Sequence, residues 1–290
     1  MTRIITNFAE ISSRYDAAFV DLWGCMHDGL RAFPAAVAAM QAFRAQGGKV
    51  VLLTNAPRPR SAVVAQVARL GIPDDAWDVI ATSGDSARAA MFAGVVGTDV
   101  HFIGEPHDQS FFAPLDIAEN PVEITQVPLA QATGIVCTGP ADPHADPAVY
   151  RPTFLVAKQM GLKLLCANPD IQVDRGDSRE WCAGALAALY TEMGGESLYF
   201  GKPYPPIYDL ARRRLAELGV ATSDARIIAI GDGINTDIQG AMGEDIDSLF
   251  ITGGLAAAET GTTDQPDPAL LDAWLETKML SPAYAIGYLR

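Results

Sequence analysis

The sequence has few basic residues. Of its 290 residues, 21 are Lys or Arg and 35 are Asp or Glu, which gives a formal net charge of −14. A nucleic-acid-binding protein needs a basic face, and the longest basic run here is the triplet Arg212 to Arg214, which sits on a helical pattern. The composition therefore predicts no nucleic-acid partner.

Cysteines and long apolar runs are also scarce. The four cysteines, at positions 25, 137, 166 and 182, form no C-x-x-C pair, which argues against a zinc motif or a disulfide framework. No stretch reaches the roughly 18 uncharged apolar residues of a membrane span, and the first residues lack the apolar core of a signal peptide. We expect buried thiols in a cytoplasmic protein with no membrane partner.

Short apolar runs alternate with alanine-rich helical runs. "AAFVDL", "KVVLLTNA" and "VIATSGD" are typical of strands, and "FPAAVAAMQAFRAQGG" and "PRSAVVAQVARLG" are typical of the helices between them. The strands are apolar throughout, which indicates a parallel sheet that is covered on both faces. This order predicts an α/β fold with a doubly wound parallel sheet and right-handed crossovers.

The same pattern returns late in the chain, in "SLYFGKP", "ARIIAIGDG" and "DSLFITGG". The middle region is richer in proline and short β runs, which indicates a second α/β module inserted into the first. We assign residues 1–84 and 195–290 to the core domain and residues 85–194 to the inserted domain. The C-terminal "LLDAWLETKMLSPAYAIGYLR" is apolar on one helical face and could pack on the core or support a homodimer.

Polar side chains follow several of the predicted strands. Ligands bind beyond the C-terminal ends of the strands in an open parallel sheet, so these side chains are candidates for a site. Carboxylates suit Mg²⁺, and a lysine and a hydroxyl suit the phosphate that often accompanies it. Each residue alone is more simply a turn or helix cap, but together they favour a ligand site. The set comprises Asp21, Thr54, Asn55, Lys202, Asp232 and Asp237.

Four segments in this order resemble the motifs of the haloacid dehalogenase (HAD) superfamily. They are "FVDLWGCMHDG", "VVLLTNAPR", "FGKPYPPIYDLA" and "IIAIGDGINTDIQGA". "ANPD" followed by "WCAGALAALY" resembles the class IIA branch, which is similar to sugar-phosphate, nucleotide and nitrophenyl-phosphate phosphatases. The resemblance covers nearly the whole chain and implies a Rossmann-like core with an inserted class IIA α/β cap.

The resemblance implies a role for each candidate. Asp21 would be the nucleophile that forms an aspartyl-phosphate, and Lys202 would pair with it and with the phosphate. Thr54 and Asn55 would bind phosphoryl oxygens. Mg²⁺ would be the cofactor, and its ligands would be Asp21, the backbone carbonyl of Trp23, Asp232 and Asp237. The implied activity is Mg²⁺-dependent hydrolysis of a small phosphate monoester, a phosphorylated metabolite such as a sugar phosphate or nucleotide.

Trp23 departs from the family pattern. Family phosphatases usually carry a second aspartate here, which protonates the leaving oxygen and later activates water, whereas indole transfers no protons at neutral pH. His27 or Asp28 could substitute, although "MHDG" is also typical of a turn. The substrate could instead have a leaving group that needs no acid. The alternative function is a phospholigand-binding or regulatory relative with weak or no turnover; we rank catalysis first.

The segment "NPDIQVDRGDSREW" lies where family members present a substrate loop. Its polar side chains are candidates to contact the leaving group, and a solvated polar loop is an equally good interpretation. The candidates are Asn168, Asp170, Asp174, Arg175 and Arg179.

Overall fold

The structure is a computed structural model, and it describes residues 2–114, 120–175 and 178–290. The chain folds into two compact units. The first comprises Met1–Thr54, Val64–Ala81 and Tyr208–Arg290, and the second comprises Asn55–Val63 and Thr82–Ile207. The predicted domain boundaries, after residues 84 and 194, stay a prediction.

The strands and helices alternate through most of the chain. The strands are β1 (Arg3–Ile4), β2 (Ala17–Val20), β3 (Lys49–Thr54), β4 (Val79–Thr82), β5 (Asp99–Ile103), β6 (Thr125–Gln126), β7 (Gly134–Cys137), β8 (Lys163–Cys166), β9 (Gln172–Arg175), β10 (Ser178–Trp181), β11 (Glu196–Tyr199), β12 (Ile227–Gly231), β13 (Asp247–Ile251) and β14 (Tyr284–Ile286). The α-helices are α1 (Pro34–Ala45), α2 (Arg60–Leu70), α3 (Ser83–Phe92), α4 (Arg151–Gln159), α5 (Ala183–Glu192), α6 (Pro205–Glu217), α7 (Gln239–Gly243) and α8 (Pro268–Lys278).

The first unit contains a seven-stranded sheet in the order β1-β14-β13-β12-β2-β3-β4. The pairings of β12 with β13, β12 with β2 and β2 with β3 are parallel. Every residue of β2 and β12 is buried, as expected for strands that are apolar on both faces. The predicted parallel α/β fold is confirmed.

Helix α1 shows how local sequence sets the boundaries. Pro34 occupies the first turn, where a missing backbone N–H costs nothing. The helix ends just before Gly47, whose φ of +95° favours glycine. Met40 and Phe43 are buried on one face of the helix.

The order and direction of the central strands place three polar residues at one edge of this sheet. Strand β2 lies between β12 and β3, with Val20 opposite both Ile230 and Leu52. Asp21 follows β2 directly, Asp232 follows β12 directly and Thr54 is the last residue of β3. Because the three strands are parallel, these residues emerge at the same C-terminal edge.

The second unit contains a five-stranded sheet in the order β11-β8-β7-β5-β6 and a two-stranded hairpin of β9 and β10. Strand β11 differs from the sequence prediction, which grouped it with the core strands. It is parallel to β8, with Glu196 opposite Lys163 and their side chains 2.9 Å apart. Because β11 is an edge strand with a half-buried pattern, its apolar run alone did not reveal its sheet. Lys202 therefore follows a strand of this second sheet.

The C-terminal segment packs on the core of the first unit, one of its two predicted arrangements. Leu271 and Leu275 of α8 are buried. Strand β14, which the helical interpretation missed, is fully buried and pairs with β13 and β1. The homodimer stays a prediction. Among the described residues, no helix is long and apolar enough to span a membrane.

Asp78 joins β3 to the segment that precedes β4. Its carboxylate accepts two hydrogen bonds from Arg44, both 2.9 Å long, and one from the Val50 N–H, and Lys49 lies 3.3 Å away. Burial raises the pKa of this carboxyl, but the hydrogen bonds from Arg44 and Val50 outweigh burial and hold the pKa below its ordinary value. The ionised form is thus stabilised in the folded protein.

We expect Asp78→Asn to lower the free energy of unfolding by about 2–3 kcal/mol, because it leaves the Arg44 guanidinium without its anion. The contribution of Asp78 should be present above about pH 4, the ordinary pKa of an aspartate, and disappear as the pH falls through the lower folded-state pKa. Urea titrations at several pH values measure both effects. Asp75→Asn is the control, because Asp75 is exposed and bonds only Gln41 among the contacts described; it should cost less than about 0.5 kcal/mol. Equal losses in the two variants would contradict this account.

Candidate active site

Two carboxylates and one thiol meet at the edge of the first sheet. One ligand atom each from Asp21, Cys25 and Asp232 lies within 4.8 Å of the other two. All three residues are buried, with exposed fractions of 8%, 1% and 5%. The sequence predicted the two aspartates at this position. It missed Cys25, whose only signal is its place four residues after Asp21 in the same loop.

Two glycines make room for the Asp232 carboxylate. A Cβ on Gly24 would lie 2.2 Å from Asp232 Oδ2, and a Cβ on Gly254 would lie 2.0 Å from the same atom. Oδ2 also accepts a hydrogen bond from the Leu255 N–H at 3.1 Å. The backbone therefore encloses this carboxylate closely. Carboxylate oxygens are ligands that Mg²⁺ prefers, so the neighbouring carboxylates of Asp21 and Asp232 fit a divalent cation.

Asp237 lies outside this three-residue cluster. It is buried in the π-helical segment Ile234–Ile238, and its Oδ2 accepts a hydrogen bond from the Gly233 N–H at 3.1 Å. A Cβ on Gly231 would lie 2.1 Å from Asp237 Cγ, so the carboxylate packs against the end of β12. Its predicted metal role, like that of the Trp23 carbonyl, stays a prediction.

Asn55 and Lys202 are joined in the second unit. Asn55 Nδ2 donates hydrogen bonds to Asp170 Oδ1 at 2.8 Å and to the Lys202 carbonyl at 3.1 Å, and Asn55 Oδ1 accepts one from the Lys202 N–H at 2.7 Å. Both N–H groups of the amide are thus engaged. The predicted contact of Asn55 with a phosphoryl oxygen stays a prediction and would require one of these bonds to break. What the structure does show is that Asn55 fixes the backbone of the buried Lys202.

The residues of the predicted substrate loop have different environments. Asn168 is buried, and its Oδ1 accepts a hydrogen bond from the Asp170 N–H at 3.0 Å, which closes a turn. Asp170 bonds Asn55, as described. Arg179 is exposed in β10, opposite Asp174 of β9. The side chains of Asp174 and Arg175 lie outside the described residues, and the contact of this loop with a leaving group stays a prediction.

Trp23 supports its own loop. Its ring meets the His27 ring edge-on, with centroids 5.4 Å apart. A Cβ on Gly29 would lie 2.3 Å from Trp23 Cη2, so the indole lies directly on this glycine, which has a φ of +86°. The indole therefore fills the space between two parts of the turn.

His27 and Asp28 are also engaged within the loop. His27 Nδ1 accepts a hydrogen bond from the Gly29 N–H at 2.9 Å, and burial lowers the pKa of His27 from 6.5 to about 4. Asp28 Oδ1 accepts hydrogen bonds from the N–H groups of Arg31 and Leu30, which hold the pKa of Asp28 below its ordinary value. "MHDG" thus forms the turn that its sequence indicates. The substitute acid/base roles of His27 and Asp28 stay predictions.

The fold and the site together define an α/β protein with a cluster of buried acidic side chains at the carboxyl edge of a parallel sheet. Comparison with known proteins gives the family. A model described as haloacid dehalogenase-like hydrolase matches residues 18–118, and one described as HAD-hydrolase-like matches residues 199–275. A haloacid dehalogenase-like hydrolase from Brucella suis 1330 is 36% identical, with a TM-score of 0.84 over 99% of this chain and 100% of that chain. The chain belongs to the haloacid dehalogenase-like hydrolase family, which confirms the resemblance read from its motifs.

Two further relatives have more specific names. The D-glycerol 3-phosphate phosphatase of Mycobacterium tuberculosis is 27% identical over 262 residues, which are 88% of this chain and 68% of the relative. The structure of a glycerol phosphate phosphatase from M. tuberculosis in complex with magnesium is 21% identical, with a TM-score of 0.65 over 95% of this chain and 76% of that chain. At 21% identity, the similarity to this second structure is evidence for the fold alone.

We expect Gly24→Ala to abolish the stabilisation of the protein by Mg²⁺, because the new methyl group would displace the Asp232 carboxylate. The measurement is the midpoint of thermal unfolding with and without Mg²⁺, supported by calorimetric titration. Gly47→Ala is the control: Gly47 also has a positive φ, but nothing lies within 4 Å of a Cβ there. In both variants the free energy of unfolding should fall by about 1–2 kcal/mol through backbone strain. Only Gly47→Ala should keep Mg²⁺ binding. Unchanged Mg²⁺ affinity in Gly24→Ala would contradict the claim that Asp232 needs the space beside Gly24 to bind the ion.

Proposed function

We propose that this chain is a Mg²⁺-dependent phosphatase that hydrolyses a small phosphate monoester through an aspartyl-phosphate on Asp21. The observation that carries the proposal is the buried pair of Asp21 and Asp232, which follow adjacent parallel strands and have carboxylate oxygens within 4.8 Å of each other, with two glycines packed against Asp232. Family membership and the name of the 27% identical relative, a D-glycerol 3-phosphate phosphatase, support it.

The proposed reaction has two displacements. An oxygen of Asp21 attacks phosphorus and the bond to the leaving oxygen breaks; water then attacks the aspartyl-phosphate and restores the carboxylate. Asp21, Asp232, the Trp23 carbonyl and Asp237 would hold Mg²⁺, which supplies positive charge so that two anions can approach. Thr54 and Lys202 would bind phosphoryl oxygens, with Asn55 holding the Lys202 backbone. Lys202 would also face Asp21.

The second candidate is a protein that binds a small phosphorylated metabolite with weak or no turnover. The observation that favours it is the loop after Asp21, where Trp23 transfers no proton and His27 and Asp28 are engaged in the turn. Such a protein would be stabilised by the ligand without releasing phosphate.

The first test is turnover of p-nitrophenyl phosphate with and without Mg²⁺. We expect turnover that requires the metal and falls by more than about 1,000-fold in Asp21→Asn, because the nucleophile is lost. Asp75→Asn, an exposed carboxylate on the same unit, is the matched control and should retain activity. Binding of inorganic phosphate, measured by calorimetry, in the absence of any turnover would support the second candidate and contradict the first.

A further inference from the structure

We propose that three buried threonine hydroxyls, those of Thr252, Thr260 and Thr262, position the Asp232 carboxylate for a metal ion. They do so by holding the backbone of the loop that follows β13, residues 252–267. All of these residues belong to the first unit. The proposal rests on the proposed function in one respect, which is the binding of Mg²⁺ at Asp232. It gives a role to a segment that lies after the last of the four motif segments.

The backbone of this loop contacts the Asp232 carboxylate at two successive residues. The Leu255 N–H donates its hydrogen bond to Asp232 Oδ2 at 3.1 Å, and a Cβ on Gly254 would lie 2.0 Å from the same oxygen. Leu255 is itself 71% exposed, and Gly254 has no side chain. Burial of these two side chains therefore does not hold the backbone against Asp232, and other contacts of the loop must do so.

The first of these contacts is an extension of the sheet. Backbone pairing of β13 with β14 continues past the end of β13. The Thr252 N–H donates a hydrogen bond to the Ile286 carbonyl at 2.9 Å, and the Gly253 N–H donates one to the Gly287 carbonyl at 2.7 Å. The chain is therefore fixed up to the residue before Gly254.

The second contact is made by the threonine hydroxyls. Thr260 Oγ1 donates a hydrogen bond to the Ala256 carbonyl at 2.7 Å and lies 2.7 Å from Thr262 Oγ1. Thr262 Oγ1 in turn lies 2.8 Å from Thr252 Oγ1, to which it donates. Thr252 and Thr260 are fully buried, and Thr262 is 8% exposed. The hydroxyls therefore link the carbonyl of the residue after Leu255 to the residue at the end of β13.

Gly254 and Leu255 thus form a short bridge between two fixed points, Gly253 and Ala256. Because glycine adopts many backbone conformations, the Leu255 N–H would be free to turn away from Asp232 without the second fixed point. A hydrogen bond to a ligating carboxylate fixes its orientation, and the loss of such an outer partner typically costs about 10–100-fold in metal affinity. We therefore infer that the threonine hydroxyls act on the metal through the Leu255 N–H and Asp232.

The test is the affinity of the full chain for Mg²⁺, measured by calorimetric titration. Thr260→Val has nearly the size of threonine and lacks the hydroxyl, so we expect its dissociation constant for Mg²⁺ to rise by about tenfold or more. Thr260→Ser keeps the hydroxyl and should bind Mg²⁺ as the wild type does. Thr222→Val is the control and should also bind as the wild type does. Thr222 Oγ1 donates to Asp16 Oδ2 at 2.9 Å, but Asp16 precedes β2 and lies at the end of that strand opposite to Asp21.

Two conditions separate positioning from a general loss of stability. At a temperature where more than about nine-tenths of each variant is folded, unfolding alone changes the apparent dissociation constant by only about a tenth. Hydrogen exchange of the Leu255 amide, followed by NMR without Mg²⁺, reports the hydrogen bond to Asp232 itself. This exchange should be faster in Thr260→Val than in the wild type and in Thr260→Ser.

The outcomes separate the inference from the proposed function. Unchanged Mg²⁺ affinity in Thr260→Val would overturn the inference and leave the phosphatase proposal standing. An equal loss of affinity in Thr260→Ser would also overturn it, because the hydroxyl would then not be the group responsible. A loss in Thr260→Val alone would support the inference even if p-nitrophenyl phosphate were not turned over, a result that would contradict the proposed activity only. A wild type that does not bind Mg²⁺ would overturn both.

A second variant covers the case in which Thr260→Val does not fold. Thr262→Val removes the next hydroxyl of the chain and leaves the bond from Thr260 to the Ala256 carbonyl in place. We expect the same direction of change, a weaker affinity for Mg²⁺ and faster exchange of the Leu255 amide. Wild-type values for both quantities would overturn the inference.

Discussion

The parallel register of β12 against β2 is the constraint on which the site depends. Val20 lies opposite Ile230, and the Asp21 N–H donates a hydrogen bond to the Ile230 carbonyl at 2.8 Å. Strand β2 ends at Val20 and β12 ends one residue further along, at Gly231, and an aspartate follows each strand. The close approach of two carboxylates is thus a product of strand pairing, and the glycines around Asp232 leave the space that it requires.

Much of the fold and part of the site could be predicted because the signals are local. Apolar runs that end in a polar residue mark β2 and β12, so Asp21 and Asp232 were found from sequence. The sheet to which β11 belongs could not be predicted, because the sequence of a half-buried edge strand does not indicate which strand it pairs with. The environment of Asn55 depends on Asp170 and Lys202, 115 and 147 residues away along the chain, a separation that no local pattern bridges. The position of Cys25 beside the two carboxylates was not predicted, because a cysteine in an apolar stretch is usually part of the hydrophobic core.

The two units position their candidate site residues by different kinds of interaction. In the first, backbone pairing places the carboxylates, and side-chain contacts such as that of Asp78 secure the sheet. In the second, one amide connects three segments through side-chain hydrogen bonds, so the placement of Lys202 depends on Asn55 and Asp170 together. Substitutions at these two positions should couple, because they share one hydrogen-bond network.

The indole of Trp23 has an evolutionary consequence. It lies on Gly29 and against His27, so a smaller residue at this position would leave part of the turn unfilled. A single change to aspartate would supply an acid and leave a void in the same step. A lineage that changed this residue to aspartate would therefore cross a less stable intermediate unless the turn was repacked first. This barrier would tend to keep the indole at position 23 in descendants of the chain.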